Sequence, residues 1–379
     1  MRLTELRVAG YRSLRALRVP LRPVNVIVGP NGCGKSNLYR SVLLLAAGAR
    51  GELARALAAE GGMPSVLWAG PRRATRRKQE PVRLELGLTL EGPHGAMSYD
   101  LACGLPVPGM TTLFPFDPEV KEETVGVPQA RRARPVLLLE RKNDSAWLRD
   151  REGVRVAYPL ELVRSESVLS QLQDPHRYPE LSVLRELFAR WRFYHQFRSD
   201  AESPLRRPRV AVRTFALADD GGDLASALQT IRENGDGDAL DAAIARGLPQ
   251  VARLRLDPGD QGLALSLELK HLPRPITAPE LSDGTLRYLC LCAALLSPRP
   301  PLLLALNEPE ASLHPDLTDG LADLIAHAAR RTQLWVTTHS RALAEGIRER
   351  TGEAPLELAL EGGETVLAGA PRDELELEW

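Results

Sequence analysis

One octet constrains this chain more than any other feature: Gly29-Pro30-Asn31-Gly32-Cys33-Gly34-Lys35-Ser36, set directly after the apolar run Val24 to Val28 and opening an amphipathic stretch that continues to about Ala49. The order G-x-x-x-x-G-K-[ST] between a strand and a helix is that of a phosphate-binding loop. Its glycines let backbone N–H groups close around β- and γ-phosphates, and the helix N-terminus adds its dipole. Lys35 supplies a point charge, and the Ser36 hydroxyl can ligate Mg²⁺. Lysine is scarce, the only others being Lys78, Lys121, Lys142 and Lys270, so a chance match is rare. Cys33 reads as a small residue tolerated in the loop, with redox control the less favoured alternative.

A second chemical centre is expected at Pro300 to His314, where an apolar strand ends in Asn307 and Glu308 before the turn at Pro309. A carboxylate at a buried strand tip is where a parallel sheet presents groups to a ligand, so Glu308 is the candidate general base that polarises an attacking water. His339, after the strand Gln333 to Thr337, is placed to donate to a γ-phosphate oxygen. Leu281-Ser282-Asp283-Gly284-Thr285 opens a helix, with Ser282 and Asp283 suited to its cap.

The remaining pattern gives an α/β chain of 379 residues. Leu3 to Val8, a turn near Gly10 and Ala16 to Pro20 precede the strand of the phosphate loop; two-residue alternation from Val82 to Val156 reads as an antiparallel meander. Helical periodicity follows Leu160, clearest in Leu181, Leu184, Leu187, Phe188 and Trp191 and again in Leu224, Leu228 and Ile231, with Asn234 to Gly237 as a break. A hairpin is expected over Val251 to Leu256 and Leu263 to Leu269, then a helix from Asp283, the strand Leu302 to Leu306, a helix over Leu317 to Ala329 and the strand Gln333 to Thr337. That alternation predicts a mostly parallel, helix-covered sheet. No internal repeat, long heptad run or low-complexity segment is present. The division expected is 1–160 as an N-terminal lobe with the phosphate loop and meander, 161–250 as a helical subdomain, and 251–379 as a C-terminal lobe, together forming one composite domain.

Composition narrows the partners. Lys+Arg and Asp+Glu both number 49, so polyanion binding has to come from local clusters: Arg72-Arg73 with Arg76 to Lys78, Arg131-Arg132 with Arg134, and Arg206-Arg207 with Arg209 near Arg190, Arg192 and Arg198. The apolar runs are too short for a bilayer, and no secretory leader precedes the first strand, so a cytoplasmic protein with no membrane partner is expected. Cys33, Cys103, Cys290 and Cys292 lack metal-ligand spacing and are read as reduced thiols.

These pieces, in this order, resemble the ABC-type ATPase heads of the RecF/SMC group, and more narrowly the RecF-like ATPases related to the ATPase part of OLD-family proteins, which are AAA family ATPases in the broad sense. Val8 to Leu14 looks like that group's opening strand and turn, Gly29 to Ser36 like its Walker A, Leu281 to Leu286 like its signature, Leu306 to Pro315 like its Walker B and D-loop, and His339 like its switch histidine. The resemblance implies a P-loop NTPase of ABC-ATPase head type, with a mixed sheet core, an antiparallel β subdomain and a compact helical lobe. It implies ATP and Mg²⁺ as cofactors, with ATP on Gly29 to Ser36 and Asn37, and Ser36 and Asn307 beside the metal. Lys35, Glu308 and His339 would be the catalytic set. Ser282 and Gly284 would contact the γ-phosphate held by a second copy, giving a homodimer on ATP binding.

Two departures from the family pattern matter. Asn307 stands where aspartate is usual: the amide can hydrogen-bond Ser36 or a Mg²⁺-bound water but brings no charge, so either the metal site is weak and turnover slow, or, as the reading favoured here, the amide donates a bond that orders Ser36 or the Glu308 loop. The family's glutamine loop is not evident, Gln171 being its candidate. The stretch between Ser36 and Ser282 is too long for a transporter ATPase and too short for a long coiled-coil arm. Two functions are therefore carried forward. One is an ATPase acting on duplex DNA in repair, chromosome maintenance or phage defence; the other is an ATP-gated sensor or scaffold that controls a separate effector without binding DNA. No nuclease-like acidic centre follows His339, so cleavage would need a partner chain.

Overall fold

The computed structural model describes residues 1–70, 83–92, 95–106, 113–128 and 135–369. From the N-terminus run β1 (Arg2–Tyr11), β2 (Leu14–Pro20), β3 (Val24–Val28), α1 (Lys35–Arg50), α2 (Leu53–Ala59), α3 (Met63–Val66), β4 (Leu84–Gly92), β5 (Gly95–Gly104), β6 (Glu119–Val127), β7 (Val136–Lys142), β8 (Ser145–Arg149) and β9 (Arg155–Ala157). They are followed by α4 (Val168–Gln171), α5 (Pro179–Ala189), β10 (Arg192–Tyr194), α6 (Leu224–Asn234), α7 (Gly237–Gly247), β11 (Val251–Gly259), β12 (Gly262–Leu269) and β13 (Ile276–Thr277). The last elements are α8 (Asp283–Leu295), β14 (Leu303–Asn307), α9 (Leu317–Ala328), β15 (Gln333–Thr337), α10 (Arg341–Thr351), β16 (Leu356–Glu361) and β17 (Glu364–Leu367). No helix among the described residues is long and apolar enough to cross a membrane.

The chain forms two compact units, Met1–Arg22 with Gly29–Trp191 and Leu356–Trp379, and Pro23–Val28 with Arg192–Pro355. In the first, β1 and β2 join the meander in an eight-stranded antiparallel sheet, ordered β2-β1-β4-β5-β6-β7-β8-β9. Its strands alternate buried and exposed positions because one face packs on a core that includes α1, α4 and α5. Tyr99, Phe188 and Trp191 meet in that core at ring separations of 5.4 and 4.6 Å. A hairpin of β16 and β17 lies beside β2.

In the second unit β10, β14, β15 and β3 run parallel in that order. Every residue of β14 and of β15 is buried, as expected for strands covered on both faces. Helices α6 to α10 supply one continuous apolar cluster with them, and β11, β12 and β13 form a separate antiparallel sheet. The strand β10 lies in a stretch whose sequence reads as helical; three residues are too few to set up a period of their own. All four cysteines are buried and unpaired, and burial pushes the Cys103 and Cys292 thiols up to about 12, which keeps them protonated.

One buried polar knot fixes the start of α4. The Glu123 carboxylate, with no exposure, accepts from Ser167 Oγ at 2.6 Å, Val168 N at 2.8 Å and Tyr99 OH at 3.1 Å, and burial raises its pKa. Glu123→Leu removes the acceptor of three buried donors, of which only Tyr99 OH and Ser167 Oγ can turn to each other, and should cost about 2 kcal/mol or more. Urea unfolding followed by circular dichroism checks it: the midpoint should fall at an unchanged slope, and an unmoved midpoint would show the knot to be dispensable.

Candidate functional site

The phosphate loop belongs to the first unit. Gly29, Gly32 and Gly34 all have positive φ, at 149°, 79° and 106°. A Cβ at Gly29 would sit 2.4 Å from the Leu358 carbonyl oxygen and one at Gly34 2.2 Å from Thr365 Oγ1, whereas one at Gly32 would meet nothing within 4 Å. The loop is thus packed behind and open in front. Lys35, 6% exposed, donates from Nζ to the carbonyls of Gly29 (2.7 Å) and Pro30 (3.0 Å), drawing the loop into a ring. Helix α1 starts at Lys35 with Gly34 as its N-cap and no side chain bonded there, so its first-turn donors are not taken by a cap. An uncapped 16-residue helix behind a concave glycine loop is a seat for phosphate. Pro30, Asn31 and Ser36 are exposed, Cys33 is buried, and Asn37 Nδ2 donates to Ser13 Oγ at 2.9 Å.

The second unit holds the polar strand tips. Asn307 ends β14 at 6% exposure, and its Oδ1 accepts from Thr337 Oγ1 of β15 at 2.6 Å. Its oxygen is thus an acceptor inside the unit. Glu308 follows with φ 49°, its N–H donating to Thr337 O at 2.8 Å. The turn aims its carboxylate at His339, whose Nε2 lies 2.8 Å from Glu308 Oε1, both side chains being partly exposed. His339 is therefore coupled to the candidate base itself. Glu310, which the sequence reading did not single out, binds the turn that carries the histidine: its Oε1 accepts from the hydroxyl of Thr338 and from the backbone N–H groups of His339 (3.1 Å) and Ser340 (3.2 Å). Its position two residues beyond Glu308 in Glu308-Pro309-Glu310 was the available signal.

Ser282 caps α8, its Oγ accepting from Thr285 N at 3.2 Å, and both Ser282 and Asp283 are exposed. Gly284 lies against the Glu308 turn, since a Cβ there would be 3.0 Å from the Ser312 carbonyl oxygen. Arg206 shapes the approach: its guanidinium donates to the carbonyls of Ala278, Pro279 and Leu281 and forms a 2.6 Å ion pair with Asp283. Arg287 joins α8 to the same region, reaching the Ala311 carbonyl (3.3 Å) and Ser199 Oγ (3.2 Å). Hydrogen bonds from Arg274 and Thr277 hold the Glu280 carboxyl down to about 2.

Other sequence candidates are occupied elsewhere. The Gln171 side chain accepts from Val163 N and donates to the carbonyls of Glu166 and Ser167 in the first unit, closing the turn before α4. In the third arginine cluster Arg190, Arg198, Arg206 and Arg207 pair with Glu186, Asp200, Asp283 and Glu202. The clusters at 72–78 and 131–134 lie outside the described residues.

Residues 113–345 match the family model described as "AAA domain, putative AbiEii toxin, Type IV TA system". That span begins after the phosphate loop and includes Ser282, Gly284, Asn307, Glu308 and His339. Among solved structures the chain is similar to an SMC head bound to the C-winged helix domain of ScpA, with TM-score 0.56 and 16% identity over 97% of each chain. It is also similar to the Smc head with an extended coiled coil bound to the C-terminal domain of ScpA derived from Pyrococcus furiosus, with TM-score 0.52 and 14% identity over 97% of this chain and 95% of that one. No curated protein matches the chain. With a parallel sheet whose strand tips carry Asn307 and Glu308 and a fold similar to that of SMC heads, the chain belongs to the AAA-domain family of that description.

Proposed function

We propose that the protein binds ATP with Mg²⁺ and hydrolyses it slowly, and that ATP joins two copies head to tail, the phosphate loop of each facing the Ser282 loop of the other. The observation that carries this reading is the phosphate loop: backed at Gly29 and Gly34, open at Gly32, ringed by Lys35 and continuous with an uncapped helix. Lys35 would neutralise β- and γ-phosphate charge and Ser36 would offer its hydroxyl to the metal. Among the described residues no cluster of His, Cys, Asp and Glu could hold a metal, which suits a Mg²⁺ that arrives on the nucleotide and keeps phosphate and water ligands. Glu308 would take the proton of the attacking water, with His339 hydrogen-bonded to it to orient the carboxylate.

Of the two physiological readings, control of a separate effector is favoured over action on DNA. The arginines at 190–207 that would track a phosphate backbone are mostly ion-paired with neighbouring acids, which removes most of their long-range field. The family description names a putative toxin of a toxin–antitoxin system, and the similar SMC heads are bound to another protein; both support a head that switches a partner. Cytoplasmic placement and a defence role belong to the same proposal. ATP turnover measured with and without linear duplex DNA across a salt series tests it. Indifference to DNA is expected, and stimulation that fades with salt would restore the DNA-acting reading.

Glu308→Gln keeps shape and removes the base. ATP binding should persist while turnover falls by about 10²-fold or more, and light scattering with ATP and Mg²⁺ should show a stable dimer. A variant that hydrolyses normally would remove Glu308 from the mechanism.

Asn307→Asp keeps the acceptor used by Thr337 and adds a charge at the tip of β14. The Mg²⁺ concentration for half-maximal turnover should fall, and the saturated rate should rise about tenfold, equivalent to roughly 1.4 kcal/mol of barrier. A Mg²⁺ titration of steady-state turnover checks both; a lower saturated rate would mean that the amide group itself is needed.

A further inference from the structure

The phosphate loop is braced by a residue far along the chain. Thr365 on β17 is 2% exposed and donates from Oγ1 to the Cys33 carbonyl at 2.8 Å. The same oxygen lies 2.8 Å from Ser13 Oγ, and Ser13 Oγ accepts from Asn37 Nδ2 at 2.9 Å. With the Thr365 proton committed to Cys33, the Ser13 hydroxyl is the donor to Thr365, so one directed series of bonds runs from Asn37 through Ser13 and Thr365 to Cys33. The backbone repeats the link, Thr365 N donating to Ser13 O at 2.8 Å.

Shape supports the same contact. A Cβ on Gly34 would fall 2.2 Å from Thr365 Oγ1 and 2.9 Å from its Cγ2, so the threonine fills the space behind the loop that a side chain at 34 would need. At the other end of the loop the Leu358 carbonyl, on β16, closes on Gly29 in the same way. An ion pair between Arg15 and Glu364, at 2.8 Å, fixes the hairpin to β2. The consequence for the loop follows from peptide geometry. In a trans peptide the C=O and the next N–H point in opposite directions, and no cis bond occurs in the described residues. Holding the Cys33 carbonyl back therefore turns the Gly34 N–H to the opposite, forward side of the loop.

We propose that Thr365 is a positioning residue of the nucleotide site, fixing the Cys33–Gly34 peptide so that its N–H is aimed at phosphate before ATP arrives. The proposal rests on the reading of Gly29–Ser36 as an ATP site. Thr365 touches no phosphate; it lowers the reorganisation that binding would otherwise require, so its contribution is to affinity.

Thr365→Val keeps the shape and removes the donor. Calorimetric titration with ATP and Mg²⁺ should show affinity about tenfold weaker, while the rate at saturating ATP changes less than twofold; Thr365→Ser should bind within twofold of wild type. Ser13→Ala, which breaks the series without touching β17, should weaken binding about threefold and serves as the deciding variant if Thr365→Val does not fold. Lys35→Ala, titrated in parallel, should lose ATP binding. If Lys35→Ala loses binding and the Thr365→Val and Ser13→Ala proteins bind like wild type, the positioning role is overturned and the ATP site stands. If Thr365→Ser is as weak as Thr365→Val, packing and not the hydroxyl is responsible, which also overturns it. Unchanged binding in Lys35→Ala would overturn the site itself.

Discussion

The glycine loop of the first unit and the Glu308 turn of the second each depend on backbone that turns through positive φ where a strand ends. In the first unit glycines carry the requirement, and the two at the ends of the loop are also pressed against carbonyl or hydroxyl groups, so no other residue fits there. In the second unit a non-glycine residue carries it. Glu308 at φ 49° accepts a conformation costing roughly 1–2 kcal/mol, held by its own N–H on Thr337 O and by Ala311 N on its carbonyl. Strain of that kind persists only where the surroundings over-determine it, and the all-buried strands β14 and β15 provide such surroundings.

Around Glu308 the fixed points are redundant. Glu310 holds the His339 turn with three bonds, Gly284 and Arg287 press α8 onto the Ala311–Ser312 backbone, and Arg206 sets the approach to Ser282. The exposed cap of α8 and the carboxylate–histidine pair therefore belong to one stiff assembly within the second unit.

Much of this was legible in the sequence because the signals were local. The phosphate loop, the strand ending in Asn307 and Glu308, and the cap at Ser282 each show themselves within a dozen residues, and the structure places all of them on the expected elements. What escaped was either short or distant. The strand β10 is too brief for a period, and Arg206 meets the carbonyls of 278–281 only through tertiary folding. The hairpin of β16 and β17 had a signal, Gly362-Gly363 between alternating runs, but nothing in that alternation links Thr365 to Cys33. In the arginine cluster around 198–207 the pairing is likewise tertiary in part: Arg206 stands beside Asp283, while Arg198 and Arg207 pair with the nearby Asp200 and Glu202.

The separation between Thr365 and the carbonyl it holds is 332 positions. A polypeptide leaving the ribosome completes the glycine loop and α1 early and the strand that braces them very late. Until residues 356–367 emerge, the Cys33 carbonyl lacks the Thr365 hydroxyl that holds it, and the loop is ringed by Lys35 alone. The shaping of the glycine loop thus waits on a strand made 332 positions later, an order set by the sequence separation of the two partners alone.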